Sequence, residues 1–276
     1  FALGMLAKYG VEATFYEPTI GAGIADLIRP NTKVVYTESP GSITFEVQDL
    51  PAIAKAAHDK GAMVINDNTW AGGYFFKPFE HGADVVLQAG TKYIVGHSDA
   101  MLGLVAAREP YCEQLWKTFM ALGNCLGPDD AYLGQRGMRT LAVRLDRHYA
   151  NGMALAQWLD ARPEVKRVLH PGMPNHPGHD LWKRDFTGAS GLFGVLLHPI
   201  SQTQLAAMLD DLELFGMGWS WGGYESLLVP VNSVAVRTAV AWQEDGQLLR
   251  IHAGLEHADD LIAELDAAFG RLNAAA

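Results

Sequence analysis

Two ionisable side chains in the first half of the chain each follow a short apolar run. Asp67 ends the run Met63-Val64-Ile65-Asn66, and Lys92 comes four positions after the run that ends at Gln88. The two residues lie 25 positions apart, close to the roughly 30 residues of one β-α-β unit. In an open parallel sheet the carboxyl ends of the strands share one edge, where ligands bind. The spacing therefore predicts that this amine and this carboxylate meet at one edge.

An amine and a carboxylate in one crevice suit pyridoxal phosphate chemistry. The lysine binds the cofactor aldehyde, and the carboxylate partners the pyridinium nitrogen. Partial burial would lower the pKa of the lysine and leave a usable amine, and Thr91 could direct its hydroxyl to the cofactor phosphate. The simpler alternative is that Asp67 caps a turn and Lys92 is a solvated loop lysine. Their shared placement at strand ends favours a site.

Short β-branched runs alternate with helical patterns in the first half of the chain, which is typical of β-α-β units. The predicted strands there are residues 33–39, 62–67, 84–88 and 101–106, with a crossover helix at 50–60. From Pro110 the pattern is helical, and 129–160 predicts one long helix that could bridge two domains. The expected later strands are 165–169, 191–197 and 249–252, and the expected later helices are 202–212 and 257–272.

This order predicts an α/β fold, with a mostly parallel sheet flanked by helices and a smaller C-terminal α+β domain. We place the boundary near residue 140, which gives domains at residues 1–140 and 141–276. The chain begins at Phe1 inside an apolar, helix-like stretch. We therefore expect it to be part of a longer polypeptide, with an N-terminally incomplete first domain.

The composition narrows the classes of function. The 276 residues are 49% hydrophobic and 19% charged, with a net charge of -10, so neither a disordered chain nor a nucleic-acid partner is expected. The two cysteines, Cys112 and Cys125, lack the spacing of a zinc site or a disulfide framework, which fits a reducing, cytoplasmic setting. No apolar run reaches about 18 residues and no leader pattern opens the chain, so we expect no membrane association.

Two further motifs are weaker. His170, His176 and His179 lie in a Pro/Gly-rich segment without strict ligand spacing, so we expect an ordinary surface loop and no metal. The string Gly21-Ala22-Gly23 starts like a dinucleotide fingerprint, but Asp26 stands where its third glycine belongs. We interpret that string as the entry to a helix.

Four ordered motifs resemble the Cys/Met-metabolism family of pyridoxal phosphate enzymes. They are Glu38-Ser39-Pro40-Gly41-Ser42, Asp67-Asn68-Thr69-Trp70, Thr91-Lys92-Tyr93-Ile94-Val95-Gly96-His97-Ser98-Asp99 and Ser220-Trp221-Gly222-Gly223-Tyr224-Glu225-Ser226-Leu227. The resemblance continues to Arg250-Ile251-His252-Ala253-Gly254-Leu255-Glu256 and covers essentially the whole chain. It implies a fold type I transferase-like large domain and a homotetramer built as a dimer of dimers.

The resemblance also implies roles at matching positions. Lys92 resembles the lysine that holds pyridoxal 5'-phosphate, Asp67 resembles the pyridinium partner, and Thr91 resembles a phosphate ligand. At Ala89 many relatives have a serine whose hydroxyl also binds the phosphate, so this departure implies weaker anchoring there. The family's N-terminal part supplies a phosphate loop, a stacked tyrosine and residues lent to a neighbour. It has no counterpart before Phe1, so we do not expect this chain alone to form a complete site.

The expected substrate site lies around Arg250. This residue resembles the arginine that binds the substrate α-carboxylate, with Ser220, Trp221 and Tyr224 beside it. A guanidinium suits the task because its fork pairs bidentately with a carboxylate and keeps its charge. The simpler alternatives are a surface salt bridge for Arg250 and ordinary packing for the aromatic residues.

Within the family, the motifs resemble the bacterial β-lyase branch. The distinguishing residues are Gly41-Ser42, Trp70, Trp221 and Tyr224. The implied activity is a carbon-sulfur β-lyase that cleaves L-cystathionine or cysteine S-conjugates to homocysteine, pyruvate and ammonia. One alternative is a γ-lyase or γ-replacement synthase of the same family. The other is a noncatalytic scaffold or regulatory pseudoenzyme.

Overall fold

The computed structural model describes residues 1–231 and 237–275. The described residues form two sheets, and the first has the strand order β1-β2-β3-β4. Its strands are Val34–Glu38 (β1), Met63–Asp67 (β2), Val85–Ala89 (β3) and Gly103–Ala107 (β4). β1, β2 and β3 run parallel, and β4 pairs antiparallel with β3. The prediction of an α/β fold with a mostly parallel sheet is confirmed, as are the four strands predicted here.

The second sheet has the order β5-β6-β9-β8-β7. Its strands are Val165–Leu169 (β5), Leu192–Leu197 (β6), Phe215–Gly216 (β7), Ser226–Val231 (β8) and Leu248–His252 (β9). β5, β6, β9 and β8 pair antiparallel, and β7 runs parallel to β8. The three strands predicted in this half are confirmed to within one residue at each end. β7 and β8 flank a glycine-rich segment and were not predicted.

Seven α-helices surround the sheets in the described part of the chain. They are Leu50–Asp59 (α1), Tyr111–Leu122 (α2), Pro128–Met138 (α3), Leu141–Asp160 (α4), His179–Asp185 (α5), Gln202–Leu209 (α6) and Ala258–Ala274 (α7). Short 3-10 helices cover Leu6–Tyr9, Gly21–Asp26 and Pro78–His81. The helical entry expected at Gly21 is present. None of the helices within the described ranges is long and apolar enough to cross a membrane.

The crossover helix α1 shows how local chemistry fixes an element. Asp49 caps its N-terminus by accepting a hydrogen bond of 3.3 Å from the Ala52 amide, and Pro51 occupies the first turn, where its missing N–H costs nothing. Leu50 and Ile53 are fully buried on one face. This face packs on the parallel strands, so the helix connects β1 to β2 as the periodicity predicts.

The prediction of one helix at 129–160 is wrong, because the chain turns between α3 and α4. Thr140 donates its amide to the Gly137 carbonyl at 3.1 Å, which closes a tight turn where the helix would otherwise continue. A side chain at Gly137 would overlap the Ile94 carbonyl, so the end of α3 lies directly against that backbone. Met138, the last residue of α3, is 57% exposed. The hydrophobic period persists across the turn and conceals it.

Helix α4 contributes to both hydrophobic clusters of the described residues. Leu145 packs in the cluster around the first sheet, and Leu155 packs in the cluster under the second sheet. The two sheets also meet directly, because the Trp70 indole donates a hydrogen bond of 2.9 Å to the Leu192 carbonyl. The boundary between residues 1–140 and 141–276 stays a prediction.

The histidine segment is not the surface loop that the sequence predicts. His170 is fully buried and His176 is 6% exposed. Each ring accepts, at Nδ1, a 3.0 Å hydrogen bond from the backbone amide two residues on, at Gly172 and Gly178. Burial lowers the pKa of His170 to about 3 and that of His176 to about 4. These rings are neutral acceptors that hold buried turns together, a role that no sequence spacing marks.

Candidate active site

Asp67 and Lys92 lie at the carboxyl ends of neighbouring parallel strands. Asp67 is the last residue of β2, and Lys92 lies in a turn three residues after β3 ends at Ala89. In the register of the two strands, Asp67 pairs with Leu87. Both residues therefore stand at one edge of the sheet, as the strand spacing predicts.

Asp67 is linked to the lysine segment through Thr69. Its Oδ1 atom accepts hydrogen bonds from the Thr69 amide at 2.9 Å and from the Thr69 hydroxyl at 2.6 Å. The same hydroxyl accepts the Ala89 amide at 2.8 Å. This relay fixes the carboxylate relative to the strand that leads to Lys92, and it gives Ala89 a structural role through its backbone.

A second carboxyl group stands next to Asp67. Glu38 is the register partner of Asp67 across β1 and β2. Burial, and next the negative charge of Asp67, raise the pKa of Glu38 to about 7, although hydrogen bonds from Ser42 oppose the shift. The Tyr36 hydroxyl donates to Asp67 Oδ2 at 3.3 Å, and burial raises its pKa as well. Like charges at this spacing favour a proton on Glu38 near neutral pH.

The Lys92 amine faces residues from the second sheet. Its Nζ atom donates a hydrogen bond of 2.8 Å to the Ser220 Oγ and lies 5.2 Å from the centre of the Trp221 ring. Partial burial lowers the pKa of Lys92, and the positive charge of Arg250 lowers it further. A lysine whose charged form is disfavoured is a better nucleophile and base near neutral pH than a solvated one.

Arg250 is a buried strand residue and not a surface salt bridge. It lies in the middle of β9 and is 6% exposed. Its Nη2 donates to the Trp219 carbonyl, and its guanidinium carbon stands 5.0 Å from the centre of the Trp219 ring. Burial lowers the pKa of Arg250, although a guanidinium keeps its charge in proteins. The positive charge of Arg250 thus acts on the Lys92 amine and suits this site to an anionic ligand.

The loop that carries Ser220 and Trp221 docks tightly on the lysine turn. Gly222 has a φ of +87°, and a Cβ there would lie 2.9 Å from the Lys92 Cα. Only glycine permits this approach without strain. The Gly222 amide donates to the His252 Nε2 at 3.1 Å, and the Ser98 hydroxyl donates to Glu225 Oε1 at 2.6 Å. The Ser98 contact joins the loop to the lysine segment, and the Gly222 contact joins the loop to β9.

The remaining predicted site residues are placed differently. The Thr91 hydroxyl donates to the Leu102 carbonyl at 3.3 Å and accepts the Leu102 amide at 3.0 Å. It therefore joins the lysine turn to the start of β4. Tyr224 is 56% exposed, and its carbonyl accepts the Leu255 amide at 2.8 Å. The structure thus groups Lys92 with Ser220, Trp221 and Arg250, while Tyr224 lies at the rim.

Sequence reasoning assigned no role to several residues at this site. Tyr36 and Glu38 are two positions apart on β1, so they share the face of the sheet beside Asp67. The two-residue period of a strand and the parallel register could have revealed this. Thr69 lies in the motif that begins at Asp67, and its contacts with Asp67 and Ala89 depend on the folded structure. His252 follows Arg250 by two positions on β9, so the same period marks it, but its contact with Gly222 depends on tertiary packing.

This set of groups fits pyridoxal phosphate. The cofactor and an amino-acid carboxylate require an amine with a lowered pKa, a carboxylate that accepts from the pyridinium nitrogen and a guanidinium that donates, and the structure supplies all three. Together with the parallel sheet, they define the class of pyridoxal phosphate enzymes of fold type I.

The chain belongs to the family described as Cys/Met metabolism PLP-dependent enzymes, which matches residues 2–270. It is 47% identical to a putative cystathionine beta-lyase of Rhizobium johnstonii over 98% of this chain and 69% of that protein. It is also 47% identical to the cystathionine beta-lyase of Escherichia coli, over 99% of this chain and 70% of that protein.

A solved structure shows the same architecture. The cystathionine gamma synthase of Xanthomonas oryzae pv. oryzae, crystallised in complex with aminoacrylate and cysteine, superposes with a TM-score of 0.91 at 36% identity. The alignment covers 99% of this chain and 72% of that one. The family resemblance, the pyridoxal 5'-phosphate cofactor and the fold type expected from the sequence are confirmed.

Proposed function

We propose that this protein is a carbon-sulfur β-lyase that cleaves L-cystathionine, or a similar cysteine S-conjugate, to homocysteine, pyruvate and ammonia. The observation that carries the proposal is the Lys92 amine, lowered in pKa and 2.8 Å from Ser220, beside the buried Arg250. The identity to named cystathionine beta-lyases over nearly the whole chain supports the β position of the cleaved bond.

The cofactor would be held by residues at the edge of the first sheet. Lys92 would bind its aldehyde, and Asp67, fixed by Thr69, would keep the pyridine nitrogen protonated. Thr91 and the backbone around Ala89 would lie toward the phosphate. When bound, pyridoxal phosphate supplies an electron sink that makes the substrate Cα–H bond acidic.

The chain's own residues would then orient the substrate and move protons. Arg250 would pair with the α-carboxylate through its guanidinium fork, with Ser220, Trp221 and Tyr224 around the substrate. Orientation lets the Cα–H bond break in the productive direction. Once the substrate amine has displaced it from the aldehyde, the Lys92 amine would take the Cα proton and return a proton to the departing sulfur, which would leave with the electron pair of the Cβ–S bond. Water then converts the released enamine to pyruvate and ammonia.

Two measurements test this proposal. Analysis of the products from L-cystathionine should find pyruvate and homocysteine, whereas cysteine and 2-oxobutyrate would show γ-cleavage and refute the β position. The Lys92→Ala variant should lose turnover while its thermal unfolding stays close to that of the unchanged protein. Full turnover in that variant would end the assignment of Lys92.

We also propose that the protein acts in the cytoplasm as a homotetramer, as the family resemblance implies. Exposed aromatic residues on α2, Trp116 and Phe119, support burial of this face between subunits. Light scattering of the purified protein should give four times the chain mass, and a monomer at micromolar concentration would contradict this assembly.

A further inference from the structure

Arg144 is a buried cation whose hydrogen-bond partners, among residues 1–231 and 237–275, carry no formal charge. It lies in the first turn of α4 and is 5% exposed. Nη1 donates to the Tyr93 carbonyl at 2.8 Å, Nη2 donates to the Gly137 carbonyl at 2.8 Å and to the Ile94 carbonyl at 3.5 Å, and Nε donates to the Thr140 hydroxyl at 3.0 Å. Burying a guanidinium is costly unless its donors are satisfied. Movement of these carbonyls would leave buried donors without partners, so the guanidinium holds the carbonyls in place.

Two of these carbonyls belong to the residues that follow Lys92. The Lys92 amide donates to the Ala89 carbonyl at 3.0 Å, and the Lys92 carbonyl accepts the Gly96 amide at 2.8 Å, so the lysine sits in a single helical turn. The last carbonyls of such a turn lack partners within it. Arg144 supplies the donors, and a cation at this end of a turn is also favourable for the backbone dipoles.

A neighbouring glycine makes room for this contact. Gly96 has a φ of +69°, and a Cβ at that position would overlap the Arg144 guanidinium. The lysine turn and the guanidinium are therefore fitted to each other.

We propose that Arg144 is a positioning residue for Lys92, acting through the carbonyls of Tyr93 and Ile94; the inference rests on the proposed function of Lys92. By bonding the carbonyls at the end of the turn, Arg144 holds the Lys92 amine within hydrogen-bond distance of Ser220. Small displacements of a reacting group reduce rates strongly, so loss of this support should reduce turnover more than substrate binding.

Arg271 provides a matched control, because it makes the same kind of contact far from Lys92. Its Nε donates to the Ala207 carbonyl at 3.0 Å and its Nη2 donates to the Met208 carbonyl at 3.1 Å, at the end of α6. Arg271→Met should therefore lower thermal stability without affecting the lysine turn. Arg144→Met should lower thermal stability and also disturb the lysine turn. Arg144→Lys should have smaller effects, because lysine keeps the positive charge but lacks the planar fork that bonds several carbonyls at once.

The first experiment measures the reactivity of the Lys92 amine after pyridoxal phosphate has been removed, because bound cofactor would occupy that amine. The purified protein is labelled with acetic anhydride at a series of pH values, and peptide mass spectrometry gives the rate at Lys92. In Arg144→Met the amine should move toward water, and its labelling rate at pH 7 should fall about tenfold, equivalent to one unit of pKa, with a smaller fall in Arg144→Lys. Arg271→Met should label like the unchanged protein. Equal rates in all variants would overturn the proposal.

The second experiment uses the cofactor-loaded protein. Arg144→Lys should lower kcat about tenfold with little change in KM and should shift the pH dependence of the visible cofactor band. Kinetics in Arg144→Lys that match those of Arg271→Met would overturn the positioning role. If the unchanged protein does not cleave cystathionine, the proposed function fails, while the labelling of Lys92 still decides the role of Arg144.

Discussion

The Nζ atom of Lys92 lies 2.8 Å from the Oγ atom of Ser220, although 128 residues separate them. This hydrogen bond joins the edge of the first sheet to the loop between β7 and β8 of the second. The site is therefore assembled from both sheets, and the reactivity of the lysine depends on how the two are held together.

Replacing Ser220 with alanine should reduce kcat/KM by up to about tenfold, because an ordinary hydrogen bond contributes roughly 0.5–1.5 kcal/mol. Ser98→Ala is the matched control, since Ser98 joins the same two segments through Glu225 at 2.6 Å without touching the amine. Steady-state kinetics on both variants decide the question. Equal losses would show that Ser220 only docks the loop.

Replacing Thr69 with valine should weaken the binding of pyridoxal phosphate about tenfold. The change removes the hydroxyl that donates to Asp67 at 2.6 Å and accepts the Ala89 amide at 2.8 Å, so the carboxylate loses its orientation. Equilibrium dialysis of the cofactor measures the effect. Thr37→Val is the control, because Thr37 is also buried in this sheet but bonds to Ile65 and Asn66. An unchanged affinity in Thr69→Val would contradict the relay.

Much of this site follows from strand period and strand order. The pattern placed Asp67 and Lys92 at one edge because each lies at or just after the end of an apolar run, and parallel strands share their carboxyl ends. The resemblance added Arg250 and Ser220, which are distant in sequence and come from the other sheet. The local sequence pattern does not predict that these residues lie beside Lys92, because that contact depends on how the two sheets pack.

The features that escaped the sequence depend on buried polar contacts. The break after Met138 was hidden because the hydrophobic period continues across it, and it is set by the approach of Gly137 to the Ile94 backbone. His170 was expected at the surface because Pro and Gly surround it, yet its ring is enclosed and satisfies the Gly172 amide. Tertiary contacts override local composition in both cases.

Acidification should destabilise the protein through its buried histidines. The pKa of His170 is about 3 in the folded chain and about 6.5 when exposed, so the unfolded state binds the extra proton as the pH falls. Its contribution to stability is complete above pH 6.5 and is lost toward pH 3. By pH 4 the free energy of unfolding should have fallen by roughly 3 kcal/mol. Urea unfolding at pH 7 and pH 4 measures this loss.

His170→Asn should reduce the acid loss, because the amide oxygen can still accept from Gly172 but does not titrate. His257→Asn is the matched control, since His257 accepts the amide two residues on, at Asp259, from a surface position 63% exposed. An acid loss in His170→Asn as large as in His257→Asn would contradict this account of His170.

Raising the pH should destabilise the cofactor-free protein through Glu38. Its pKa is about 7 in the folded chain against about 4.5 when exposed, because burial and the neighbouring Asp67 disfavour its charge. The folded state therefore keeps a proton that the unfolded state releases, and the stability present below pH 4.5 is lost as the pH rises through 7. Partial contact with water limits the loss to about 1–3 kcal/mol at pH 8.

Glu38→Gln should be more stable than the unchanged protein in urea at pH 8 and similar at pH 4.5, whereas the exposed Glu80→Gln should show no such pH dependence. A stability difference for Glu38→Gln that is the same at both pH values would show that Glu38 is already charged at neutral pH, with its carboxylate stabilised by Ser42 against the repulsion of Asp67.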